Sequence, residues 1–176
     1  TDSKVHFILV GADKDFQVSS DNNANMLFVD GGNDRVGIGV APTHNFNLEG
    51  TGTVEARFRS SDGKMSLQIS SNTDESNDSE LNFMSGTSGR GSIVYDHNTT
   101  ASNQAMLFKV ADNGVEAFRL NGEGSLLVGT TSDNPSADNV EGISLNQTGQ
   151  IDASREGSSL DLNRTTNDGD VVIFRK

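Results

Sequence analysis

The chain has 176 residues, of which 32% are hydrophobic, with 19 glycines, no cysteine and no tryptophan. This length suits one domain or a row of smaller units, yet the apolar supply is thin for a self-sufficient core. A formal net charge of -12 argues against nucleic-acid binding and against anionic membrane surfaces. The lack of cysteine rules out disulfides and thiolate metal sites. No apolar run reaches the roughly 18 residues of a membrane-spanning helix.

Helical periodicity is weak, with no stretch of about 11 residues placing apolar side chains at i, i+3, i+4 and i+7. Short strands are predicted instead. In chain order they are Val5–Val10, Asn25–Val29, Val54–Arg59, Met65–Ile69, Glu80–Met84, Ser92–Tyr95, Ala105–Val110, Val115–Leu120 and Val171–Phe174. Turn residues separate most of them, among them Asp30–Asp34, Ser61–Gly63, Asp112–Gly114, Asn121–Gly124 and Asn167–Asp170. Asn-Gly and Asp-Gly supply the positive φ angles that tight hairpins need. The polar stretches Ser70–Ser79, Asp96–Asn103 and Thr131–Asn139 read as loops, the last with Pro135 at its centre. The pattern predicts an all-β chain of serial hairpins.

An internal repeat is present. Met26–Gly39 and Glu116–Gly129 each read as strand, Gly-rich turn, strand and glycine, with Pro42 or Pro135 following. Phe28 falls on Phe118 and Gly39 on Gly129 at the same spacing, and Phe58–Leu67 is a partial third copy. The repeat predicts stacked units at 1–50, 51–90 (a hairpin with a polar loop), 91–140, and a C-terminal β segment at 141–176 leading toward a downstream domain. Phe28, Val36, Ile38, Phe58, Phe118, Leu126 and Val128 are expected to point into a core. Gly37, Gly39 and Gly129 are expected where backbones approach closely, or alternatively where the chain only turns.

The repeat residues resemble a phrase of bacteriophage tail-fibre proteins, G-x-V-G-I-G-T-x-x-P followed by a short strand. Here it stands as Arg35-Val36-Gly37-Ile38-Gly39-Val40-Ala41-Pro42 with Phe46-Asn47-Leu48, and in weaker form as Leu126–Pro135. Leu160–Arg164 and Asp168–Lys176 are similar to text that in such fibres often precedes an intramolecular chaperone. The resemblance covers about a third of the chain through short motifs. It implies an elongated, intertwined homotrimer of β-prism or β-helix type, located in the virion tail fibre outside the cell. Its implied partners are further copies of itself, neighbouring fibre or tail proteins, and a host-surface glycan or outer-membrane protein.

Catalytic chemistry is not legible. No G-x-S-x-G elbow or phosphate-binding loop is present, and Gly86-Thr87-Ser88-Gly89 falls one residue short of the former. With one tyrosine and no tryptophan, a long glycan groove lacks its usual stacking platforms. A non-enzyme is expected, with a bacterial adhesin or lectin-like module as second reading and a fragment of a polysaccharide-degrading tailspike as third. His6, His44 and His97 stand singly, and Gly31–Asp34 is a single copy of a calcium-type turn. No cofactor and no metal residue is therefore assigned, although the acidic chain leaves room for calcium or a cation on a trimer axis. The cluster mixing an aromatic, both charge signs and an amide is Arg90, Tyr95, Asp96, His97 and Asn98. These are the candidate receptor-contacting residues.

Overall fold

The computed structural model describes residues 14–71, 77–112, 114–163, 165 and 170–174. Among them the chain is nearly all β, with eleven strands in two sheets, one α-helical turn, one 3-10 turn at Ala101–Asn103 and no closed barrel. The chain divides into two units, the first ending at Ser66 and the second beginning at Leu67.

The first unit holds β1 (Phe16–Val18), β2 (Leu27–Asp30), β3 (Arg35–Ile38) and β4 (Phe46–Leu48), side by side in that order. The β2–β3 turn forms because Asp30 Oδ1 accepts the Asn33 N–H at 3.0 Å while Asp34 turns left-handed at φ 56°. β4 then lies parallel to β3, Val36 opposite Phe46. So short a return is permitted by two glycines. Gly39 reverses the chain at φ +86°, and a Cβ there would collide with the Glu49 carbonyl. A Cβ on Gly37 would collide with the Val40 carbonyl and stand 3.1 Å from Pro42 Cδ. Pro42 is buried. The repeated glycines and proline are thus one device, a flush fold-back of the chain on itself.

The second unit is a meander of β5 (Ser79–Ser85), β6 (Ser88–Asp96), β7 (Ala105–Val110), β8 (Val115–Asn121), β9 (Leu126–Val128), β10 (Gly142–Leu145) and β11 (Ile151–Ser154). Their spatial order is the chain order, and every neighbouring pair is antiparallel. β6 runs across residues 90 and 91, so the repeat units expected on either side share one sheet. Gly86 (φ +59°) makes the two-residue β5–β6 turn, and Gly124 (φ +87°) the β8–β9 turn. Between β9 and β10 the expected loop contains α1 (Pro135–Asp138), with proline at its first position and Asn139 left-handed at φ 53° after it.

The core of this unit is small. Val94, Ala105 and Leu107 form one buried cluster and Leu127 is fully buried. Strand register puts Val94, Leu107 and Leu127 in a single row with Arg119, Ser144 and Asp152. The β9–β10 connection covers one end of that face. Pro135 is buried in it, and Ser136 Oγ donates to Asp152 Oδ2 at 3.0 Å.

Three expectations change. Val54–Arg59 and Met65–Ile69 alternate like strands but pair with no strand among the described residues, and Phe58 is 63% exposed. Alternation specifies a face, while a ladder also needs a neighbour. Val171–Phe174 is likewise exposed and outside any strand, and Val5–Val10 falls outside the described residues. Phe28 opposes Gly37, on the face away from Val36 and Ile38. The loop Gly31–Asp34 is one residue longer than the loop Gly122–Gly124, so the repeat slips by one position before its turn and a slip of one exchanges faces. Leu27, not Phe28, stands where Phe118 does.

Candidate functional site

The seven-stranded sheet has two unlike faces. One carries the small core and its polar surroundings. On the other, one row runs through Ile151, Leu145, Leu126, Leu120, Met106 and Tyr95, each directly opposite the next. A second row holds Ala153, Ile143 and Val128, then Phe118, Phe108, Ile93 and Leu81. Phe108 and Phe118 stack with ring centroids 4.3 Å apart and planes at 17°. No element among the described residues of this unit covers these rows: Ile151 is 73% exposed, and Leu120, Ile143, Leu145 and Val128 are about as open as one another at 42%, 41%, 40% and 40%. Val110, Val115 and Phe83 extend the patch at 47%, 53% and 53%. Isolated exposed apolar residues are ordinary, but these stand side by side on one face, which makes that face a candidate association surface.

The first unit repeats the arrangement. Phe16, Val29, Val36 and Phe46 form one cross-strand row, with Val18, Leu27, Ile38 and Leu48 beside it on the same face. Phe16, Val18, Ile38, Phe46 and Leu48 are all exposed. Of the residues expected in a core, Val36, Ile38, Phe118, Leu126 and Val128 therefore share uncovered apolar faces, while Phe58 and Phe28 do not.

The glycines separate by cause. Gly37 and Gly39 are hemmed in by backbone of their own chain, whereas a Cβ on Gly129 (φ +68°) meets nothing within 4 Å. Gly39→Val is accordingly expected to destabilise the first unit by about 2 kcal/mol or more, through the left-handed backbone and the clash together. Gly129→Ala is expected to cost about 1 kcal/mol, from backbone conformation alone. Chemical denaturation of both variants checks the order.

The candidate receptor residues do not form one cluster. Arg90 pairs with Asp112 at the far end of β6, roughly 17 Å along the strand from Tyr95. Tyr95 and His97 come together, their rings edge to face at 4.9 Å. The Tyr95 hydroxyl donates to Gln104 Oε1 at 2.8 Å, Gln104 Nε2 donates to the Asn98 carbonyl at 2.8 Å, and His97 Nε2 lies 3.0 Å from Ser79 Oγ. The polar stretches Ser70–Ser79 and Asp96–Asn103 thus meet at Ser79 and His97, and Tyr95 serves to fix the end of the sheet. Asp96 points to the opposite face, beside Arg119.

Sequence reading did not mark Arg119. A bulge at Phe108/Lys109 leaves Ala117 out of the ladder and brings Glu116 onto the same face as Arg119. Glu116 Oε1 accepts from Arg119 Nε at 2.6 Å. That hydrogen bond holds the guanidinium above its ordinary pKa, against the desolvation that lowers it, and the charges of Glu116 and Asp96 add to the effect. Among the described residues no three His, Asp or Glu side chains gather as a metal site, and no helix is long and apolar enough to cross a membrane. No protein-family model and no curated protein matches the chain.

Proposed function

We propose that this chain is a structural, non-enzymatic segment of an extracellular, tail-fibre-like assembly, in which it forms a homotrimer. The observation that carries the reading is the uncovered apolar face of the seven-stranded sheet, together with its counterpart in the first unit. Each chain buries only Val94, Ala105, Leu107 and Leu127 as its apolar core among the described residues. A shared core supplies the missing burial. Three copies around an axis turn three apolar faces inward and close the set, so association stops at a defined size. The phage-like phrase at Arg35–Pro42 favours three copies over two, and virion tail proteins as the neighbours along the fibre.

In this reading the segment spaces and stiffens the fibre, and its loops and mixed sheet faces meet the host. Sedimentation equilibrium of the purified chain at micromolar concentration is expected to give three times 18.7 kDa. A stable 18.7 kDa species overturns the shared core. Adsorption to host cells is expected to survive Arg90→Ala, since Arg90 sits apart from the Tyr95–Asn98 end of the sheet. The lectin-like reading is favoured by one further observation, the polar hollow beside Arg119.

A further inference from the structure

We propose that the hollow between the turn at Ala101–Asn103 and the start of the β9–β10 connection binds a neutral glycan through vicinal hydroxyls. The proposal rests on the reading of the chain as a host-contacting fibre segment. Ala105, Arg119 and Asn121 form the floor, Asn103 and Gln104 one wall, and Thr131 and Asp133 the other, around about 330 Å³. That volume is at the small end of ligand pockets, about 300–1,000 Å³, and fits one or two sugar rings. A second hollow of about 690 Å³ shares Arg119 and Thr131 with it, so the two make one trough along β8.

The polar groups are held in place before any ligand arrives. Asn121 Oδ1 accepts the Ser125 N–H at 2.8 Å, and Asn121 Nδ2 donates to both Asp133 oxygens at 3.1 and 3.0 Å. This fixes the Asp133 carboxylate and leaves each oxygen a further lone pair. Arg119, with a side chain 21% exposed, is held by Glu116 through Nε and Nη2. Two of its five N–H groups are used there, and the rest remain for a ligand. Gln104 is committed to Tyr95 and Asn98 and serves as wall only.

A sugar diol both donates and accepts at each oxygen. A fixed carboxylate and a fixed guanidinium lining one hollow, with the Thr131 hydroxyl shared by the two hollows, match that need. Asp133, Glu123 and Glu116 outnumber Arg119 around the trough, so sialylated or phosphorylated sugars are repelled. No aromatic ring lines it, so single-site affinity is weak, and three copies on one fibre raise it through effective concentration.

The test is saturation-transfer NMR on the intact chain with lactose, maltose and chitobiose as neutral probes, sialyllactose as the anionic one, and calcium chloride titrated separately. The expected result is transfer to a neutral disaccharide, weakened at least tenfold by Asp133→Asn and by Thr131→Val but unchanged by His97→Ala. Thr131 is exposed, so its variant keeps the fold if Asp133→Asn loosens the Asn121 contact. The proposal is overturned by no transfer from any neutral probe, by transfer indifferent to both variants, by preference for sialyllactose, or by response to calcium alone. Transfer is read per chain. A monomeric mass with transfer intact sinks the trimer and keeps the site, and a trimer without transfer does the reverse.

Discussion

Aspartate at both Leu120 and Val128 is expected to convert the assembled protein into single chains that keep their strand content. The two side chains lie on the same uncovered face, in adjacent rows of the sheet, 42% and 40% exposed in one chain. As single chains they can hold a carboxylate in water at little cost. In a shared core each would be desolvated without a partner, at several kcal/mol per ion. Three copies bring six such charges together around one axis, which exceeds what most associations supply. Sedimentation should move from three chains to one while far-UV circular dichroism stays that of a β protein. A variant that remains a trimer would place the interface elsewhere.

Leu127→Ala and Phe118→Ala are expected to behave differently, although both lie near the middle of the same sheet. Leu127 is fully buried within its own chain, so truncation should cost about 2–5 kcal/mol at any protein concentration. Phe118 is half-buried and stacked on Phe108. Its full cost of about 3–5 kcal/mol should appear only where copies cover the face, and should shrink on dilution into single chains. Denaturation at two concentrations a hundredfold apart reads the contrast. Equal, concentration-independent losses for the two variants would mean that the face stays open.

Much of the strand content was legible because turn chemistry and alternation coincide in this chain. Ala105–Val110 stands as expected, and Val115–Leu120 is extended only by Asn121. β1, β10 and β11 were missed. Ile143-Ser144-Leu145 offers two apolar positions, too few to mark a strand without knowing that β9 lies alongside. Phe58 failed for the converse reason, since its alternation has no partner strand among the described residues.

The repeat was visible, but its two copies resolve differently. Gly37 in the first is Leu127 in the second. A glycine lets the return strand lie flush through Pro42, while a leucine must be roofed, and the longer connection carrying α1 does that. The candidate trough had no sequence signal, because Asn121 and Asp133 meet only through that roof.

The strict meander of the second unit bears on how such a protein comes into being. Every strand from β5 to β11 pairs only with its immediate predecessor and successor, so the sheet is assembled from local contacts, the kind that form quickly. Each chain can complete this sheet while still alone, before it meets a partner. Refolding should therefore show a fast phase indifferent to concentration, as hairpins zip in sequence, followed by a slower phase whose rate rises with concentration as finished sheets find one another. In the interval between them the bare apolar rows are a hazard. In the fibre we propose, growth would be a race between orderly docking and clumping, and holding chains close together at synthesis would decide it.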